Sequence, residues 1–151
     1  MITKRAFLRG AVLASASAPF ARIAFAATPE VFTNRGQAIR GYDPVAYFTE
    51  GKPVRGSDSH THNWNGAEWR FSSEENRAAF AANPEAYAPQ YGGYCAWAVA
   101  EGYTASTDPD AWKIVDNKLY LNYSAGVQRR WERDILGNIS RGDSNWPAVL
   151  K

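Results

Sequence analysis

Tyr87 to Gly102 reads YAPQYGGYCAWAVAEG, and the fold turns on how this stretch is taken. It holds the only cysteine of the chain, Cys95, between Tyr94 and Trp97. Gly92 and Gly93 precede it. Paired glycines point to a backbone that takes positive φ or passes close to another group. The run behind them, Cys95, Ala96, Ala98, Val99 and Ala100, is small and apolar, and it suits a tight interior. A chemical site, if the chain has one, is expected here.

Outward from that stretch, turn and cap signals divide the chain. Asp43-Pro44 in GYDPVAYF starts a short helix, with Asp43 as cap and Pro44 at the first helical position. Asn65-Gly66 is the strongest hairpin signal; it joins strands expected over 59–64 and 67–71, the second placing Trp69 and Phe71 on one face. Ser72-Ser73-Glu74-Glu75 reads as a capping box with Ser72 as cap, opening a helix to about Ala82 with Phe80 toward the core. Pro84 begins a short turn through Tyr87. Beyond Cys95, Pro109 is expected to break the chain. Trp112 and Ile114 then alternate against Leu119 and Leu121 around Asp116-Asn117, a second hairpin. Ser124 caps one final helix with Val127, Trp131, Ile135 and Ile139 in a single stripe. Residues 28–36 read as a loose lead-in. The expected class is α+β: a small antiparallel sheet of two hairpins with helices packed on one face.

The length of 151 residues suits one domain. An aromatic content of 14% favours a core of large rings, and 21% charged residues argues against disorder. The net charge of +2 is misleading, because residues 1–26 carry Lys4, Arg5, Arg9 and Arg22 and no acid. Without those four cations the remainder stands near −2, with no electrostatic footprint for nucleic acid.

The first 26 residues have the order of an export signal. TKRAFLR is twin-arginine-like, with Lys4 where the first arginine is expected, so the general export route stays open beside it. A short apolar run, Ala11 to Phe20, falls below the roughly 20 residues of a membrane span. Ala24-Phe25-Ala26 supplies small residues at the positions signal peptidase reads. The reading is a signal over 1–26 and one periplasmic domain over 27–151, with no membrane span. A lone cysteine in an oxidising compartment forms no internal disulfide.

GYDPVAYF, the Asn-Gly hairpin followed by FSSEENRAAF, NPEAYAPQYGGYCAWA and WKIVDNKLYLNY together resemble the exported YHS-domain proteins of bacteria, over residues 37–147. Such domains also occur appended to heavy-metal transporting ATPases. The resemblance implies a small metal-associated module, for copper or another soft metal such as zinc, without an established activity. One departure stands out: metal-associated YHS domains carry cysteines a few residues apart, and here Ala96, Trp97 and Ala98 follow Cys95 with no second thiol. One chain therefore cannot offer a thiolate pair.

The candidate ligands are Cys95 as thiolate, His62 as the nitrogen ligand and His60 beside it. His60 and His62 are the only histidines; at i and i+2 on a strand they share a face about 6–7 Å apart. A homodimer is one way to complete a one-cysteine site. Each candidate also has a plain structural reading: Cys95 as a buried small hydrophobe, the histidines as a solvated strand end, Asp43 as a cap, Glu101 as an exposed helix end, and the six tryptophans as core. No catalytic triad order, HExxH or phosphate loop is present, so an enzyme is the least favoured class. The leading expectation is a non-catalytic soft-metal module. The alternative is a metal-free binding module for a small organic ligand or a partner protein.

The export reading predicts that N-terminal sequencing of periplasmic protein begins at Ala27. A chain still starting at Met1 or Ile2 would overturn it. Arg5→Lys should block export by the twin-arginine route and leave export by the general route intact.

Overall fold

The computed structural model describes residues 27–151. The export signal expected over 1–26 lies outside the described residues.

The first described strands, β1 (Thr33–Asn34) and β2 (Gln37–Ala38), form a ribbon turned at Arg35-Gly36, both at positive φ. The lead-in is not loose. Val31 is buried, the Phe32 N–H donates to the Gly92 carbonyl at 2.9 Å, and the Tyr94 hydroxyl donates to the Pro29 carbonyl at 2.7 Å. What ties it down is the Gly92–Tyr94 backbone, some sixty residues away, which no local pattern in 28–36 reveals.

Helix α1 (Pro44–Thr49) starts as its sequence requires. Asp43 Oδ1 accepts the N–H groups of Val45 (2.8 Å) and Ala46 (3.3 Å), and Pro44 takes the first turn where no donor is missed. Strands β3 (Ser57–Trp64) and β4 (Ala67–Phe71) pair antiparallel across Asn65-Gly66, with φ of 52° and 77°. Two positive φ values suit a two-residue hairpin turn, because they match the twist of the strands. In β4 the alternation is realised: Ala67, Trp69 and Phe71 are buried, and Glu68 and Arg70 are not.

Helix α2 (Glu74–Ala82) is capped by Ser73 rather than Ser72; Ser73 Oγ accepts the Asn76 N–H at 3.1 Å. Ser72 is engaged elsewhere, donating both its N–H and its hydroxyl to Asp43 Oδ2 at 2.8 Å. Two adjacent serines could each cap, and the tertiary bond to Asp43 selects between them. After α3 (Pro84–Tyr87), a single tight turn over Gln90–Gly93 carries positive φ at Tyr91, Gly92 and Gly93. Helix α4 (Ala96–Glu101) follows and ends at Gly102 in the left-handed conformation.

Strands β5 (Asp108–Val115) and β6 (Lys118–Asn122) form the second hairpin, with Trp112 opposite Leu121 and Ile114 opposite Leu119. Pro109 lies inside β5 rather than ending a loop. It sits where the register shifts between Asp108 and Trp112, so no ladder donor is lost, and its carbonyl accepts the Tyr47 hydroxyl at 2.7 Å. The expected single final helix is two, α5 (Ala125–Glu132) and α6 (Ile135–Asn145). Ser124 caps the first as expected, and Asp134 opens the second by accepting the Gly137 N–H. The break still delivers Trp131, Ile135 and Ile139 to one cluster, while Val127 does not join it.

The class is α+β. Among the described residues the strands make two sheets, a mixed one in the order β1-β2-β4-β3, with β2 parallel to β4, and the β5-β6 pair. The hairpins thus stand in separate sheets. The core divides in the same way. One cluster gathers Trp69, Phe71, Phe80, Val45 and Tyr47; the other gathers Tyr91, Tyr94, Val99, Tyr120 and Trp131. Strand β6 serves both: Leu119 and Leu121 enter the first and Tyr120, on the opposite face, enters the second.

Gly92 closes the seam between them. With φ at 63°, a methyl built on it would overlap the Glu30 carbonyl. Gly93, at φ 83°, would bring a methyl to 3.2 Å from Pro89 Cγ, a softer contact. The expected result is that Gly93→Ala costs about 1–2 kcal/mol, the price of left-handed backbone for an L residue, and that Gly92→Ala costs on the order of 3 kcal/mol or more because the backbone must also part. Thermal unfolding of both variants measures this; equal melting temperatures would contradict it.

Candidate functional site around Cys95

Cys95 sits at the N-terminal edge of α4, held from three directions. Its N–H donates to the Ala105 carbonyl at 3.0 Å. Its Sγ lies 3.5 Å from Asn122 Oδ1, placed to donate to it, and accepts the Tyr123 N–H at 3.3 Å. Asn122, fully buried at the end of β6, also accepts the Trp97 N–H through Oδ1 at 3.0 Å, so one amide oxygen fixes both the thiol and the start of α4. Its Nδ2 has no hydrogen-bond partner. The other end of α4 is held by Asn145 of α6, whose Nδ2 donates to the carbonyls of Val99 (2.8 Å) and Ala100 (3.2 Å). The small residues Ala96, Ala98 and Ala100 allow this close packing, and all three are buried.

The thiol is itself buried, with 1% of the residue exposed. Burial pushes its pKa up from the ordinary cysteine value, and the backbone N–H groups of Ala98, Tyr123 and Trp97 offset this only in part. At neutral pH Cys95 is therefore a thiol rather than a thiolate.

A cavity of about 250 Å³ reaches Cys95 and is lined also by Trp97, Tyr103, Ala105, Tyr123, Val127 and Arg130. Tyr103 and Tyr123 are 52% and 57% exposed, unusual for large rings and therefore informative here. The Arg130 guanidinium lies 5.7 Å from the centre of the Trp97 ring and has no carboxylate partner among the described residues. The reading of the sequence found Cys95 and Trp97 but not Tyr103, Tyr123, Asn122 or Arg130. Those four come from the loop after α4, the end of β6 and the last turn of α5, and only packing brings them to one place. No local signal marked them: Tyr123 continues the alternation of Leu119 and Leu121 and reads as one more strand residue.

The histidines stand in a different setting. His60 Nδ1 is 3.6 Å from Glu74 Oε2, and the His62 ring packs edge-on against Phe80 at 6.1 Å. Both meet α2, so they share a face as their spacing implied, but their partners are a carboxylate and a phenyl ring. Glu74 is further engaged by Arg77, which holds its carboxyl below the usual range. Among the described residues no group of three or more His, Cys, Asp or Glu is placed to hold a metal ion. Cys95, His62 and His60 are not gathered into one ligand set. Asp43 is no ligand either, since both its oxygens are filled by five donors. Glu101 is the exposed end of α4.

The chemistry of the donors at Cys95 does not fit a soft cation within one chain. A neutral thiol must first lose its proton, its neighbours are an amide and phenol rings, and Arg130 adds a fixed positive charge to the same cavity.

The raised pKa gives a rate prediction. Alkylation of Cys95 by iodoacetamide in the folded protein at pH 7.5 should be at least about tenfold slower than in denaturant, and should climb as pH rises above about 9. The sign for stability is the same: protection of the neutral thiol is complete below the unfolded pKa and is lost as pH rises toward the folded one. Equal rates folded and unfolded at pH 7.5 would show the thiol to be open and ionised.

The family comparison now bears on this geometry. Residues 45–91 match the family model of the YHS domain. The matched segment runs from α1 through both strands of the first hairpin to Tyr91; it includes His60 and His62 and stops short of Cys95. No curated protein matches the chain. No solved structure matches it. By the match over residues 45–91, the chain carries a YHS domain.

Proposed function

We propose that this chain is an exported, non-catalytic binding module whose site is the cavity over Cys95, and that its ligand is a small anionic organic molecule. The observation that carries the proposal is the combination lining that cavity: two exposed tyrosines beside an arginine with no carboxylate partner among the described residues. Exposed rings offer a rigid apolar surface at low entropic cost, and an arginine stacked on Trp97 is poised to take a carboxylate, sulfonate or phosphate. The hydrogen-bond partners of the thiol are an amide oxygen and a backbone N–H, with no base to activate it, which supports binding over catalysis. Export rests on the order of charge, apolar run and small residues in 1–26.

The soft-metal reading, with copper or zinc on Cys95 and His62, rests on the family resemblance. It requires a second chain or a large rearrangement to bring further donors to the thiol.

One pair of titrations separates the two. An anionic aromatic fluorophore, anilinonaphthalene sulfonate, is expected to bind one per chain, and Arg130→Gln and Tyr123→Ala should each weaken it at least about fivefold at unchanged melting temperature, since both side chains are exposed. Copper(I), in competition with a chelator, should bind wild type, Cys95→Ser and His62→Ala alike. Tight one-to-one copper binding abolished by Cys95→Ser would replace this proposal with the metal reading, and fluorophore binding unaffected by either cavity variant would remove it.

A further inference from the structure

The cavity over Cys95 does not end at Tyr123. The same residue lines a neighbouring cavity of about 460 Å³. The segment from Tyr103 to Thr107 walls both, Tyr103 and Ala105 in the first and Ser106 and Thr107 in the second. That wall is fixed from behind. The Tyr103 N–H donates to the Ala98 carbonyl at 3.0 Å, and the Ala105 carbonyl accepts the Cys95 N–H at 3.0 Å. The buried Thr107 hydroxyl donates to the Gly93 carbonyl at 2.7 Å.

Arg40 stands in the second cavity. It is carried on a turn in which Ile39, Arg40 and Gly41 take φ of 50°, 51° and 84°. Two of the three are not glycine, and Ile39 is branched at Cβ, so this backbone is strained. Burial of Ile39 in the first core locks the turn. Strain that packing maintains marks a segment whose side chains are being placed. Here it sets Arg40, whose Nε–H donates to the Thr107 carbonyl at 3.0 Å. The guanidinium pairs with no carboxylate among the described residues. Asp108 also lines this cavity, and its Oδ1 accepts the Asp110 N–H at 2.9 Å.

Arg130 and Arg40 thus stand in adjoining cavities that have the exposed Tyr123 in common. Each guanidinium can take a carboxylate or sulfonate through parallel hydrogen bonds. The shared ring offers apolar surface to whatever links two such groups. When both groups belong to one molecule, the second contact is made intramolecularly and adds affinity. We propose that the ligand of this protein is an elongated organic dianion, with one acid group on Arg130, the other on Arg40, and an apolar or aromatic middle laid against Tyr123. The inference rests on the anionic-ligand reading of the Cys95 cavity and extends it. Inorganic sulfate or phosphate is a poor match, because it gathers its charge at one centre and leaves the ring unused. Asp108 opposes the second acid group and limits the affinity at that end.

The test is a calorimetric titration of the full chain, at constant ionic strength, with aromatic diacids of rising length. The probes are terephthalate and its naphthalene and biphenyl homologues with acid groups at opposite ends, each compared with its monoacid. At least one diacid should bind at least about tenfold tighter than its monoacid, well beyond the roughly twofold gain that two equivalent ends give by number alone. Arg40→Gln should bring that diacid down to the affinity of the monoacid and leave the monoacid unchanged. Arg40→Gly, which suits positive φ without a Cβ, should do the same and keeps the result readable if glutamine disturbs the turn. Arg130→Gln should weaken monoacid and diacid alike. Asp108→Asn keeps an acceptor for the Asp110 N–H and should tighten the diacid about two- to threefold. Monoacid binding with no diacid gaining more than about twofold, a gain that survives both Arg40 variants, or a weaker diacid in Asp108→Asn overturns this proposal and leaves the anionic reading in place. Failure of every acid to bind, or binding that Arg130→Gln does not weaken, overturns both.

Discussion

The carboxylate of Asp43 holds the first half of this molecule together. It is fully buried, a position that costs several kcal/mol unless its oxygens find donors. They find five. Oδ1 takes the first N–H groups of α1, and Oδ2 takes the Ser72 N–H, the Ser72 hydroxyl and the Asn76 amide. One side chain thereby fixes where α1 begins, where β4 ends and how α2 leaves the sheet. Phe80 and Phe71 then pack at 5.2 Å beneath that junction. A substitution that removed the carboxylate would strand several of these donors at once, each worth about 1–3 kcal/mol when buried without a partner.

The second constraint is that two cores must share one strand. Strand β6 is buried on both faces, Leu119 and Leu121 to one side and Tyr120 to the other. It pairs with β5 alone, and the two hairpins stand in separate sheets. The turn at Gly92 completes the docking by letting the Glu30 backbone pass where any side chain would stand. The matched YHS segment ends at this turn, with Tyr91, and most of the second core comes from residues after it.

Positive charge edges two adjoining cavities. The one over Cys95 carries Arg130 beside exposed tyrosines, and its neighbour carries Arg40. Desolvation keeps the thiol protonated, and its hydrogen bonds place it as a packed element of the α4 start as much as a reactive group. Its conversion to a soft-metal ligand would require loss of a proton in an apolar setting beside a guanidinium.

Much of the chain was legible because its signals are local. The Asn65-Gly66 and Asp116-Asn117 turns, the alternation of Trp69 and Phe71, the caps at Asp43 and Ser124 and the positive φ of the glycine pair each depend on neighbours within a few residues, and each is found. The α+β class and the YHS resemblance followed from them. Tertiary structure decided what depends on distant partners. It chose Ser73 over Ser72 because Asp43 claims the latter, tied down the lead-in through Gly92 and Tyr94, and placed Pro109 inside β5 at a shift in register. It set His60 against Glu74 and His62 against Phe80, away from any shared ligand set with Cys95. It also assembled Tyr103, Tyr123 and Arg130 around Cys95 from three separate elements. Hydrophobic period and turn chemistry act over a few residues and can be read from sequence alone; which side chains converge on a cavity depends on how two cores dock, and that is settled only when the whole chain packs.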